Sequence, residues 1–288
     1  MGRAFAVGVC LNTAFVLVEV GVGFWSGSLA LLADAGHNLS DVLSLLMAWG
    51  AVALAARAPA GRRTYGLRKA TILASLANAV LLLLAVGAIA SESIQRLSHP
   101  ATVQTWMVMV TAGIGILVNG ATALMFMRGG QEDLNVRGAF LHMASDALVS
   151  LAVVIGAAVI YLTGLEWIDP ALSLMIAAVI VLGTWGLLRD SIDLALDAAP
   201  RGIDVDAVRA WLADLPGVEG VHDLHIWAMS TTETALTAHV LRPANDDGDH
   251  FLHDACDGLA ARFNIVHATL QVETDADQAC RLAPAEVV

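Results

Sequence analysis

Two histidine–aspartate pairs with one spacing, His37/Asp41 and His142/Asp146, stand inside long apolar stretches of this chain. Four residues apart on a helix means a shared face, so each pair presents an imidazole and a carboxylate one turn apart. Ionisable groups are costly in hydrocarbon and usually face a polar pathway or a bound ion. Two nitrogens and two oxygens make a donor set suited to a divalent metal, zinc first. Without a cation, two buried carboxylates would repel each other. Small residues beside the pairs, among them Gly36, Ser40, Ala144 and Ser145, let neighbouring helices approach closely enough for bridging. Asp34, three residues before His37, is expected on a nearby face, at the entrance of the site or in a proton pathway. Asn12 and Glu19, two turns apart, and Asn119 are expected to make helix–helix hydrogen bonds rather than to bind the ion.

The elements that must carry these groups are membrane spans. Hydrophobic residues make up 57% and charged ones 15%, and the mean hydropathy is +0.70, which is membrane-protein composition. Crossing the hydrocarbon takes about 20 apolar residues. Six stretches qualify, roughly 4–25, 29–56, 70–92, 103–127, 136–161 and 168–189. Arg57, Arg62, Arg63, Arg68 and Lys69 crowd the connection after the second span with no acidic residue among them. They mark it as cytoplasmic. Arg3, Arg128, Arg137 and Arg189 fall on the same side, whereas Glu92, Arg96, His99, Glu166 and Asp169 fall on the other. Both termini are therefore expected inside. The basic run reads first as a topology anchor; lipid headgroups or an acidic partner surface are its other uses.

From about residue 200 the apolar stretches shorten, so residues 1–199 are expected to form a six-helix membrane domain and 200–288 a small soluble one. Its pattern is αββαβ. A helix over 204–215 starts behind Asp204 and is stopped by Pro216-Gly217. Strands follow over 218–228 and 235–241, a second helix over 249–263 and a last strand over 265–273. Residues 201–288 hold fifteen Asp/Glu against five Lys/Arg, which argues against nucleic acid and anionic lipid as its partners. Six of the nine histidines are here (His222, His225, His239, His250, His253 and His267), and with Asp223, Asp254 and Glu273 they could form cytoplasmic zinc sites. Regular strand alternation would send His222 and His225 to opposite faces. Cys10, Cys256 and Cys280 form no C-x-x-C and indicate no disulfide framework. Asn12 and Glu19 interrupt the first span, which reads as a membrane helix rather than a signal peptide.

The paired HxxxD, the six spans, the loop Thr64-Tyr65-Gly66-Leu67-Arg68 and the tail segments Val221–Trp227 and His267–Glu273 together resemble the cation diffusion facilitator family of proton-coupled zinc exporters. The resemblance covers nearly the whole chain. It implies a transport site of His37, Asp41, His142 and Asp146, with His37 favouring zinc while leaving cadmium and cobalt as possible cargo. It implies protons as counter-ion, a metallochaperone-like tail and a homodimer. His222, His239, His267 and Glu273 match tail positions that bind metal in some relatives, and His253 is a further candidate. A metal site in the basic loop is not expected, since the loop has no His or Cys. A multi-pass protein of a bacterial inner membrane is the expected setting. Two other readings exist. A membrane metal sensor signalling through its tail would not need a site in mid-membrane. An intramembrane metalloenzyme would need a general base, and neither His37 nor His142 has a neighbouring Glu or an H-E-x-x-H. The absence of a Walker motif removes ATP drive from this chain.

Overall fold

A computed structural model describes residues 3–128, 134–243, 248–275, 280 and 282. The side chains of Arg3, Cys10, Arg128 and Arg137, used above for orientation and cysteine accounting, lie outside the described residues. The chain divides into two compact units, one of residues 1–47 and 77–188, the other of residues 48–76 and 189–288.

Six long helices follow one another: α1 Arg3–Ser26, α2 Leu29–Ala55, α3 Ala70–Ser98, α4 Thr105–Arg128, α5 Leu134–Thr163 and α6 Ile168–Ala195. Among the described residues, α2 to α6 each hold a stretch long and apolar enough to cross a membrane. The 24 residues of α1 span about 36 Å at 1.5 Å per residue, also sufficient. Two helices outrun their apolar stretches. The end of α3 continues on the Glu92–Arg96 pair, 2.9 Å apart at i,i+4, and α6 runs on to Ala195. Both extensions are polar helix that the hydropathy pattern does not reveal.

The start of α2 is held by a residue distant in sequence. Gly27 adopts the left-handed conformation (φ +72°) to turn the chain out of α1. Ser28 then caps α2, its Oγ accepting from Leu31 N at 3.1 Å. Asp169 of α6 accepts from Ser28 Oγ at 2.5 Å and Leu29 N at 2.7 Å, satisfying donors that a helix start leaves free. Beyond this cap lies the apolar core of the first unit, in which Ala30, Leu31, Ala33, Val86, Val108, Ala112, Val153 and Ala157 are buried.

The tail adopts the expected αββαβ order: α7 Val205–Ala213, β1 Gly220–Ala228, β2 Thr234–Leu241, α8 Gly248–Phe263 and β3 Ile265–Glu273. Asp204 caps α7 through Asp206 N and Ala207 N. The sheet order is β1-β2-β3, with β1/β2 antiparallel and β2/β3 parallel. Val208, Leu212, Ile226, Leu236, Leu259 and Ile265 form its core. The same unit includes the basic connection after α2. Arg68 pairs with Glu233, Lys69 Nζ lies 2.6 Å from Asp197, and Thr231 N donates to Thr71 Oγ1. Of the five basic residues, Arg68 is thus engaged by an acidic residue of the tail and Lys69 by Asp197, just after α6.

Candidate metal centres

The first candidate centre joins α2 to α5. His37 Nε2 lies 3.3 Å from Asp146 Oδ1. His142 Nε2 lies 3.2 Å from Asp41 Oδ2 and 3.7 Å from Asp146 Oδ2. Each histidine therefore approaches the carboxylate of the other helix, and the rings stand edge to face with centroids 5.9 Å apart. One donor atom from each of His37, Asp41, His142 and Asp146 falls within 4.8 Å of all the others. All four sequence-derived residues meet. Asp146 is buried, and neither of its oxygens has an aligned hydrogen bond despite the nearby imidazole. A buried acceptor pair left this way is a feature that a cation would satisfy.

A cavity of about 340 Å³ adjoins the cluster, lined by Ser40 and Ser44 of α2, Asn78 of α3, Ser145 of α5 and Thr184 and Leu187 of α6. Ser44, Asn78 and Leu187 all lie on the side of the ligands where α6 leads into the tail. On the other side, Leu29 to Leu31, Ala33 and Ala35 of α2 are buried. Leu82 of α3, Val149 of α5 and Ile176 of α6 also line the cavity. Asn78 bonds Ser44 Oγ (2.5 Å) and Ser40 Oγ (3.5 Å), which fixes a polar wall. Asp34 is absent from that wall: it is fully buried and accepts from Ser150 Oγ at 2.8 Å. The expected helix–helix bond of Glu19 exists, Asn38 Nδ2 donating to its Oε2 at 3.1 Å.

The second candidate centre lies on the tail sheet. His222 of β1 faces His239 of β2 across the antiparallel pair, their ring centroids 5.1 Å apart. Glu273 at the end of β3 reaches His239 Nδ1 (2.9 Å) and His222 Nε2 (3.4 Å). Cys280 Sγ closes the group, 3.4 Å from His239 Nδ1. Donor atoms of His222, His239, Glu273 and Cys280 lie within 4.8 Å of one another. Two nitrogens, an oxygen and a sulfur suit zinc, and the buried His222 Nε2 has no aligned hydrogen bond. For Glu273, burial alone would raise the pKa. The hydrogen bond from Cys280, the charge of His222 and the bonds to Gln271 and His239 outweigh it and hold the carboxyl below its usual range.

Three sequence expectations about the tail require correction. His222 and His225 do not face opposite ways. Between them β1 bulges: His222 pairs with His239 and His225 with Thr237, three steps against two, and Asp223 takes φ 49°. The extra residue restores parity, so both histidines leave the face opposite the core. Asp223 then links them to β2, its Oδ1 2.9 Å from His225 Nε2 and its Oδ2 3.5 Å from His239 Nε2. His267 is not in the cluster. It pairs with Ala235, six residues or about 20 Å up β3 from Glu273, and stacks edge-on against Tyr65. His253 is not in it either; its side chain is 76% exposed on α8 and lies 3.6 Å from Asp257, one turn on. Cys280 escaped sequence reasoning because a lone cysteine beyond the last strand carries no spacing signal.

Residues 5–194 match the cation efflux transmembrane domain and residues 200–275 the cation efflux protein cytoplasmic domain. The chain belongs to the cation diffusion facilitator family, a family of membrane transporters and not of enzymes. Among curated proteins it is similar to the zinc transporter ZitB of Escherichia coli, with 38% identity over 93% of this chain and 86% of that one. It is also similar to the metal cation efflux system protein CzcD of Cupriavidus metallidurans, with 34% identity over 99% and 92%. A third relative is the cadmium, cobalt and zinc/H(+)-K(+) antiporter of Bacillus subtilis, with 33% identity over 95% and 89%. Among solved structures, the metal-bound C-terminal domain of CzcD matches with 35% identity, covering 25% of this chain and 99% of that one at a TM-score of 0.24.

Proposed function

We propose that this protein exports Zn²⁺ from the cytoplasm in exchange for protons, with His37, Asp41, His142 and Asp146 as the transport site in the domain of residues 1–199. The observation that carries the reading is the convergence of those four donors within 4.8 Å, on helices that share no turn of sequence. Relatives named for zinc, or for cadmium, cobalt and zinc with protons, support the same cargo. Zinc takes neutral imidazoles and ionised carboxylates, so loading expels protons and protonation expels zinc. Imidazoles titrate near neutral pH, which makes the exchange responsive to physiological gradients. Zinc would load from the cytoplasm past the polar wall of Ser40, Ser44 and Asn78 that lines the cavity beside the ligands. Closing the polar wall of Ser44 and Asn78 while opening the buried packing around Leu31 would present the ion to the outside. Cadmium and cobalt fit the same donors less selectively. Purified protein in vesicles, loaded with a zinc-sensitive dye, tests this: zinc flux should rise with an imposed pH gradient. Equal flux after the gradient is collapsed would refute proton exchange.

The tail of residues 200–288 would hold a regulatory zinc on His222, His239, Glu273 and Cys280, and mediate a homodimer in a bacterial inner membrane. The donor set and its one buried, unaligned imidazole nitrogen support the ion. The family of the cytoplasmic domain supports the dimer. A zinc-dependent change in the separation of two tails, followed by spin labels on full-length protein, checks both.

A further inference from the structure

Glu19 of α1 and Asp34 of α2 are both fully buried, and their carboxyls lie within hydrogen-bonding reach of one another. Each has one oxygen placed: Asn38 Nδ2 donates to Glu19 Oε2, and Ser150 Oγ donates to Asp34 Oδ2. The remaining oxygens, Glu19 Oε1 and Asp34 Oδ1, are buried with no donor. Among the described residues no Lys or Arg is hydrogen-bonded to or ion-paired with either carboxyl. Asp146 of α5 and His37 of α2 are near enough to act on the pair electrostatically, and among the described residues neither carboxyl is hydrogen-bonded to a transport ligand. Gly115 of α4 covers Ser150 with no side chain of its own.

Two adjacent carboxylates without a cation in an apolar interior do not both stay ionised. A proton on either carboxyl is the donor that the pair lacks. We propose that the Glu19–Asp34 pair is a second proton site of the exchanger, separate from the metal ligands, which gives up its proton when zinc loads. This rests on the exchange reading above. The charge balance is closed: zinc brings two positive charges to the four-ligand site, one proton leaves that site and one leaves the pair. The pair passes from one negative charge to two as the neighbouring site becomes one charge more positive. After zinc departs on the outer side, one proton returns to each. The cycle then moves one zinc against two protons with no net change of charge within the helices.

The test counts protons on full-length protein whose tail ligands are removed by His222→Ala and His239→Ala, so that only the membrane site binds. Zinc titrations by calorimetry, in buffers of different ionisation enthalpy, give the protons released per zinc. Glu19→Gln, which mimics a permanently protonated carboxyl, and Asp34→Asn should each bind zinc while releasing about one proton fewer. Unchanged release at intact zinc binding would overturn the proposal. If neither variant binds, infrared difference spectra of the unmodified protein decide. Zinc addition should abolish a protonated-carboxyl band from a water-free site, and persistence of every such band would overturn it. Failure of the parent protein itself to bind or move zinc would instead overturn the exchange reading.

Discussion

Cys280 and Glu273 show how a site can be half visible at the residue scale. The histidines and Glu273 stand out by type, but only the folded chain returns Cys280 to His239 at 3.4 Å. Cys280→Ser removes the one soft donor, and zinc affinity of the tail should fall about tenfold or more, equivalent to roughly 1.4 kcal/mol. Cadmium affinity should fall further than zinc affinity, since thiolate favours the softer ion. Competition titrations with a chelating dye measure both, and equal affinities before and after substitution would remove Cys280 from the ligand set. Glu273 gives a pH signature. Its folded pKa is depressed, so its stabilising contribution is present above the usual carboxylate range and is lost as pH falls through the lowered value. Metal-free protein should lose hydrogen-exchange protection along β3 on acidification, and Glu273→Gln should flatten that acid limb.

At the scale of elements, the helices were legible because apolar length is a one-dimensional signal, and so was the αββαβ order. The HxxxD spacing also named the whole membrane cluster, because a turn of helix turns i,i+4 into one face. What escaped is what depends on a local break or on a partner far along the chain. The bulge at Asp223 reverses the parity that strand alternation implies for His225. Asp169 caps α2 from 140 residues away, which no local pattern announces. Asp169→Ala should leave Ser28 Oγ and Leu29 N without their acceptor and cost about 1–3 kcal/mol. Thermal unfolding in detergent should register that loss, with Asp169→Asn recovering part of it; an unshifted midpoint would deny the cap its role. In the tail, Gly258 of α8 lets Trp211 of α7 pass: a Cβ there would stand 2.4 Å from Trp211 Cζ2. Gly258→Ala should therefore cost about 1–3 kcal/mol by overpacking, despite the better helix propensity of alanine. Exchange protection of α7 and α8 gives the reading, and a gain in protection would contradict the packing described.

For the whole molecule, one four-donor cluster lies among the membrane helices and a second on the tail sheet. Acid residues concentrate in the tail, whereas the membrane helices carry few charges, nearly all of them placed for a purpose. His37, Asp41, His142 and Asp146 meet in the wall of a cavity of about 340 Å³. Glu19 and Asp34 are buried on α1 and α2, and Asp169 holds the start of α2. Asp146 is the buried carboxylate of the cluster, approached by both imidazoles. The most direct measurement is zinc flux into vesicles under a fixed pH gradient, with the parent protein and Asp146→Ala compared at equal, verified incorporation. Gradient-driven flux is expected in the parent and its loss in the variant. Flux at the parent rate in Asp146→Ala would show that zinc crosses the membrane by another route.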